Sequence, residues 1–168
     1  MTVFSSYHKY KRTEGTSLAG GKKMGLVYAE IELVNYDDLA FHEGGLLTEA
    51  EVHRVTNKAL VDSGAVDLVI NEEIQRRLNL RVLHRRTICL ADESTHEVDM
   101  VGPVEVRFQN RSTIVKAIVL PGSEEVLLGA IPLEGLDVFI DPLRERLIVN
   151  PFSPDIGTSQ VKQVSLSI

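Results

Sequence analysis

The chain has 168 residues, 43% of them apolar and 25% charged, with a formal net charge of −6 and no Trp. That length suits one domain with a real hydrophobic core, and the acidic balance disfavours a nucleic-acid surface beyond a local basic patch. Cys89 is the single cysteine, so no disulfide forms within the chain and a reducing cytoplasm is the expected location; no apolar run reaches membrane-spanning length, and the first residues lack the apolar stretch of a secretory signal.

Residues 1–23 ("MTVFSSYHKYKRTEGTSLAGGKK") show no periodicity and are rich in Gly, Ser and Lys, the composition of a flexible arm, with Met24 as an alternative start. A domain over 24–152 and a tail over 153–168 follow. "LVYAEIELVN" alternates Val27, Ala29, Ile31 and Leu33 with Tyr28, Glu30, Glu32 and Val34, which predicts a half-buried strand. The polar, Gly-bearing segment from Tyr36 to Glu51 reads as a long loop. "EVHRVTNKALVD" reads as a second strand ending at Asp62, and "LVI" as a short buried strand. "NEEIQRRLNL" predicts a short helix, with Asn71 as N-cap, Glu72 and Glu73 at the positive end of the dipole, and Ile74 with Leu78 on one face.

Short strands then recur. "RTICLAD" and "HEVDMV" predict a hairpin across "DEST", and "PVEVRF" with "TIVKAIVL" a second across "QNRS". "EVLLGAIPLEGLDVFID" and "ERLIVNP" complete the series. Many short strands with frequent turns predict an all-β closed barrel or sandwich with one short helix. Gly64-Ala65-Val66 is echoed by Gly129-Ala130-Ile131 about 65 positions later, as an internal duplication would produce.

The chemistry centres on "LVDSGAVDLVI". Asp-Ser-Gly is ordinary turn composition, but here apolar strand residues enter and leave on both sides, where a carboxylate is costly to bury. With those flanks, Leu60-Val61-Asp62-Ser63-Gly64-Ala65 resembles the active-site turn of retropepsin-like (retroviral-type) aspartic proteases, and Val126-Leu127-Leu128-Gly129-Ala130 resembles their second apolar-apolar-Gly element. The resemblance spans about Gly25 to Pro151 and is nearest to the small, single-lobed bacterial members.

The resemblance implies an aspartic endopeptidase, with no cofactor or metal, that hydrolyses peptide or protein substrates. Its chemistry needs two adjacent carboxylates sharing one proton, because like charges so close together cannot both ionise. One acid activates water and the protonated one polarises the scissile carbonyl. This chain has one such turn, so the resemblance implies a homodimer with the site on a twofold axis and Asp62 from each subunit. Ser63 and Gly64 would support the turn, Ser63 through a hydroxyl bond across the dimer. Gly64, Ala65 and Val66 would line the substrate cleft, with Ala91, Asp92, Glu93 and Ser94 in a flap. The terminal "RLIVN" strand is expected at the dimer interface. Two departures bear on substrate binding: the flap tip lacks Gly, and Val66 stands where retroviral enzymes often carry Asp.

Other chemistry is poorly represented. The five histidines lack metal-ligand spacing. Cys89 reads as a small buried residue, and Ser63 lacks the G-x-S-x-G setting of a hydrolase nucleophile. The basic run Arg76 to Arg86 reads as a solvated face. The alternatives to an active enzyme are a catalytically silent dimerisation or peptide-binding module of the same fold, and a protease that cuts only its own or a fused chain.

Overall fold

The structure is a computed structural model that describes residues 25–89 and 93–157. The expected arm, with Met24, lies outside them. Alternation of apolar and polar residues produces strand β1 (Tyr28–Asn35), with Ala29, Ile31 and Leu33 turned into the core. It is followed by helix α1 (Tyr36–Glu43), a 3₁₀ turn (Glu49–Glu51), β2 (Arg54–Val61), β3 (Leu68–Ile70) and α2 (Glu72–Arg77). Then come β4 (Val82–Cys89), β5 (Thr95–Phe108), β6 (Arg111–Val119), β7 (Val126–Leu128), α3 (Ala130–Leu136), β8 (Val138–Asp141) and β9 (Arg146–Val149).

Six strands close on themselves in the order β1-β2-β7-β3-β6-β5, with β5 returning to β1, and β4 extends the sheet from β5. At the closing seam Glu32 stands opposite Arg107. The Arg107 guanidinium bridges Glu32 at 3.2 Å and Glu105 at 2.7 Å. Burial disfavours its charge, but the two carboxylates outweigh that and raise its pKa above the usual arginine value. The main core fills the barrel with Ile31, Leu33, Leu68, Ile70, Leu78, Val104, Leu128 and Leu136 among its members. The all-β closed barrel is the architecture expected from the strand pattern.

The barrel contains an internal repeat. β2 runs parallel to β7 with Ala59 beside Val126, and β6 runs parallel to β3 with Ala117 beside Leu68. The same shift carries Ala59 onto Ala117 and Val126 back onto Leu68. It also pairs two hydrogen bonds: Asp62 N–H to the Leu128 carbonyl at 3.1 Å, and Leu120 N–H to the Ile70 carbonyl at 2.8 Å. Asp62-Ser63-Gly64 thus corresponds to Leu120-Pro121-Gly122, and α2 to α3. The sequence echo has a different meaning. Ala130 N–H donates to the Ala65 carbonyl at 2.8 Å and Ile131 N–H to the Val66 carbonyl at 2.9 Å, so the echoed triplets are partners in space, not equivalents.

Several expectations need correction. Among the described residues there are three α-helices rather than one. The predicted loop after Asn35 contains α1, because the Asn35 side chain caps it by accepting from Asp38 N–H at 3.2 Å while Asp37 and Asp38 favour its first turn. "HEVDMV" and "PVEVRF" are halves of one strand, with a bulge between Val101 and Val104. "RLIV" is a strand as expected and pairs with β8 in a separate two-stranded sheet, a pairing that does not bear on its expected place at a dimer interface. Cys89 is exposed, because β4 is an edge strand with most side chains in solvent.

Candidate active site

β2 delivers Asp62 at its end, where the chain turns. The Asp62 carbonyl accepts from Ala65 N–H at 3.0 Å, and its Oδ1 accepts from Gly64 N–H at 2.9 Å. Backbone and side chain together therefore fix the turn, as Asx geometry does. Asp62 is half-buried, and Ser63 and Gly64 are exposed. Among the described residues the Gly64 N–H is the one hydrogen-bond partner of the Asp62 carboxylate.

Ala65 is buried in a second apolar cluster with Leu60, Val69, Val98, Met100, Ile118 and Leu127, against which Tyr28, Ile88 and Leu120 pack. This cluster joins the Asp62 turn to the β4–β5 hairpin, so the base of the predicted flap packs with the turn. A polar link runs beside it: Arg86 Nη1 of β4 lies 3.5 Å from Asp67 Oδ2, five residues past Asp62. At the hairpin tip Glu93 adopts a left-handed φ of 66°, and Ser94 Oγ lies 3.1 Å from His96 Nε2. Ala91 and Asp92 lie outside the described residues.

The loop after Asp62 is clamped from below by Gly129. A Cβ there would stand 2.3 Å from the Asp67 carbonyl oxygen, so only glycine allows α3 to approach this closely. That approach allows the Ala130 and Ile131 amides to bond the backbone of Ala65 and Val66.

The structure thus gathers Asp62, Ser63, Gly64, Ala65 and Val66 at one place. It adds Arg86, Leu26 and Ile131, which are not legible as neighbours of the turn in the sequence. Arg86 belongs to the basic run expected to be a solvated face, but it pairs with Asp67. Leu26 is reachable by extending the pairing of Tyr28 with Leu60, which sets Leu26 opposite Asp62. His42 and His53 pair with Glu49 and Asp38, on the α1 side.

A closed barrel carrying one Asp-Ser-Gly turn on an apolar-apolar-Gly clamp defines a retropepsin-like aspartyl protease domain. The chain belongs to that family: the family described as gag-polyprotein putative aspartyl protease matches residues 48–134, slightly more than half of the sequence, from the 3₁₀ turn into α3. No curated protein matches the chain.

Proposed function

We propose that the protein is an aspartic endopeptidase that acts as a homodimer, each subunit contributing Asp62 to one dyad. The observation that carries this reading is the internal repeat. Within a single chain the counterpart of Asp62 is Leu120, so the chain's own symmetry offers no second acid. A second copy does. With two carboxylates facing each other, one is ionised and takes a proton from water, while its protonated partner polarises the peptide carbonyl. The exposed Gly64 lets an extended substrate backbone approach the turn, and Ser63 is free to bond across the axis. The substrate is a peptide or protein strand held between this turn and the β4–β5 hairpin, in the cytoplasm.

Asp62→Asn tests the mechanism. The amide can neither give nor take the proton, so hydrolysis of a peptide library should be lost while the circular dichroism spectrum is retained. Wild-type turnover by this variant would refute an aspartic mechanism. Activity should also be greatest on the acid side of neutrality, because raising the pH removes the shared proton and leaves both carboxylates ionised. The silent-module reading draws on the hairpin tip, where a non-glycine residue occupies a left-handed conformation. Folded wild-type protein that dimerises but cleaves nothing in the library would favour it.

A further inference from the structure

We propose that the cavity around Arg111 is a binding site for a small organic carboxylate, held by a guanidinium whose donors the fold leaves unused. Arg111 opens β6 and is only 4% exposed. Its Nη2 donates to the Ser153 carbonyl, but among the described residues Nε and Nη1 find no acceptor of any kind. Arginine cannot silence these donors by losing a proton. A buried cation with idle donors is costly, and a ligand that brings the acceptor accounts for its presence.

The cavity has room for that ligand. It measures about 310 Å³, the small end of the range for ligand sites, and lies among the start of β6, the end of α3 and the segment 153–157. The guanidinium lies against the wall that Gly157 contributes, where a Cβ would stand 3.3 Å from Nη1. Gly157 leaves the approach to Nη1 narrow, and the strap it ends is tied down by side chains: Asn110 Nδ2 donates to the Pro154 carbonyl at 2.9 Å. A ligand enters by lifting that strap, without breaking a strand pair. Two acids set the ligand's class. Asp137 and Asp155 line the same cavity, and their charges oppose a dianion such as phosphate more than a monoanion. Leu136 and Ile156 in the wall suit the carbon skeleton of an organic acid rather than a bare ion. The site is remote from Asp62. β6 runs from Arg111 toward Leu120, which packs with the Ala65 cluster, so the two lie about 25–30 Å apart along the strand.

The test is ¹⁵N nuclear magnetic resonance of the full chain, titrated with sodium butyrate, acetate or phosphate at an ionic strength held constant with chloride. The Arg111 Nε–H and Gly157 amide resonances should shift saturably with butyrate and acetate, and phosphate should bind at least tenfold more weakly than butyrate. Arg111→Met keeps the apolar stem and removes the charge. It should abolish the Gly157 shift, and its Tm without ligand should equal or exceed that of the wild type, because an uncompensated buried charge has been removed. Gly157→Val fills the cavity in front of Nη1 and should weaken butyrate binding at least tenfold while the circular dichroism spectrum is kept. A wild type in which neither resonance moves saturably overturns the inference, as does an Arg111→Met variant whose Gly157 amide still responds. If Arg111→Met does not fold, an undiminished butyrate response in Gly157→Val overturns it instead. Tighter binding of phosphate than of butyrate overturns the carboxylate assignment. None of these outcomes depends on peptide hydrolysis, so the protease reading stands or falls separately.

Discussion

Gly129→Ala should destabilise the protein by about 2–3 kcal/mol, which is large for the addition of one methyl group. The backbone at Gly129, φ −82° and ψ −175°, is open to any residue, so the cost is not conformational. It is steric. The new Cβ would stand 2.3 Å from the Asp67 carbonyl oxygen and 2.8 Å from both the carbonyl carbon and oxygen of Val66. All three are backbone atoms and cannot rotate aside. Relief therefore requires α3 to withdraw from the loop by about 1 Å to restore ordinary van der Waals separation. That movement stretches the 2.8 and 2.9 Å bonds from Ala130 and Ile131 beyond useful length. Each is worth about 1 kcal/mol, with a further penalty for leaving the carbonyl of buried Ala65 unpaired. The smaller unfolded-state entropy of Ala offsets about 0.4–1 kcal/mol. Urea denaturation followed by far-ultraviolet circular dichroism measures the balance. Gly44→Ala is the matched control: at φ −78° its Cβ would lie 3.4 Å from the Ala40 carbonyl oxygen, an ordinary contact, so it should cost nothing and gain about 0.4–1 kcal/mol from the same entropy. If Gly129→Ala also cost less than about 0.5 kcal/mol, the clamp would not be what holds the loop after Asp62.

Asn35→Ala should cost about 2–3 kcal/mol in the same assay, since the buried side chain caps α1 and donates to the carbonyls of Leu78 and Asn79 at 3.0 and 3.2 Å; a loss below about 0.5 kcal/mol would refute that role. Arg86→Ala should change stability by less than about 1 kcal/mol, because the ion pair is half-exposed on the arginine side, yet it should raise KM severalfold by freeing the hairpin from Asp67. An unchanged KM would show that the pair does not position the flap. Glu93→Gly should stabilise the protein by about 0.5–1 kcal/mol through relief of the left-handed conformation, and a loss of stability in urea would contradict this.

Strand residues such as Ile31 and Leu33 are legible by alternation, and Asn71 by its place before two glutamates. Asn71 does cap α2, accepting from Ile74 N–H at 2.9 Å. Helix α1 is hidden in the sequence because only Leu39 of its eight residues is buried, leaving no apolar stripe to read. Helix α3 is hidden by Pro132 and Gly135. Pro132 falls in the first turn, where a missing N–H costs no intrahelical bond, and Gly135 lies so close to Thr113 that a Cβ would meet its Oγ1 at 2.2 Å. Cys89 reads as buried in the sequence because an apolar run does not say whether its strand is central or at an edge. The Asp62 turn is legible from local residues alone. Its neighbours Leu26, Arg86 and Ile131 are not, since each reaches it through pairing between distant segments.

The two repeated units are interleaved rather than stacked, each lending a strand to the other through β2–β7 and β3–β6. Neither unit can therefore bury its strands by itself. A nick in the exposed β5–β6 turn at Asn110 would yield two fragments with raw sheet edges, each a poor folder and prone to aggregate alone. Mixed together, they have every hydrogen bond of the barrel available by recombination. The parallel pairings also join residues far apart in sequence, so folding waits on long-loop closure and is slow for a domain of this size.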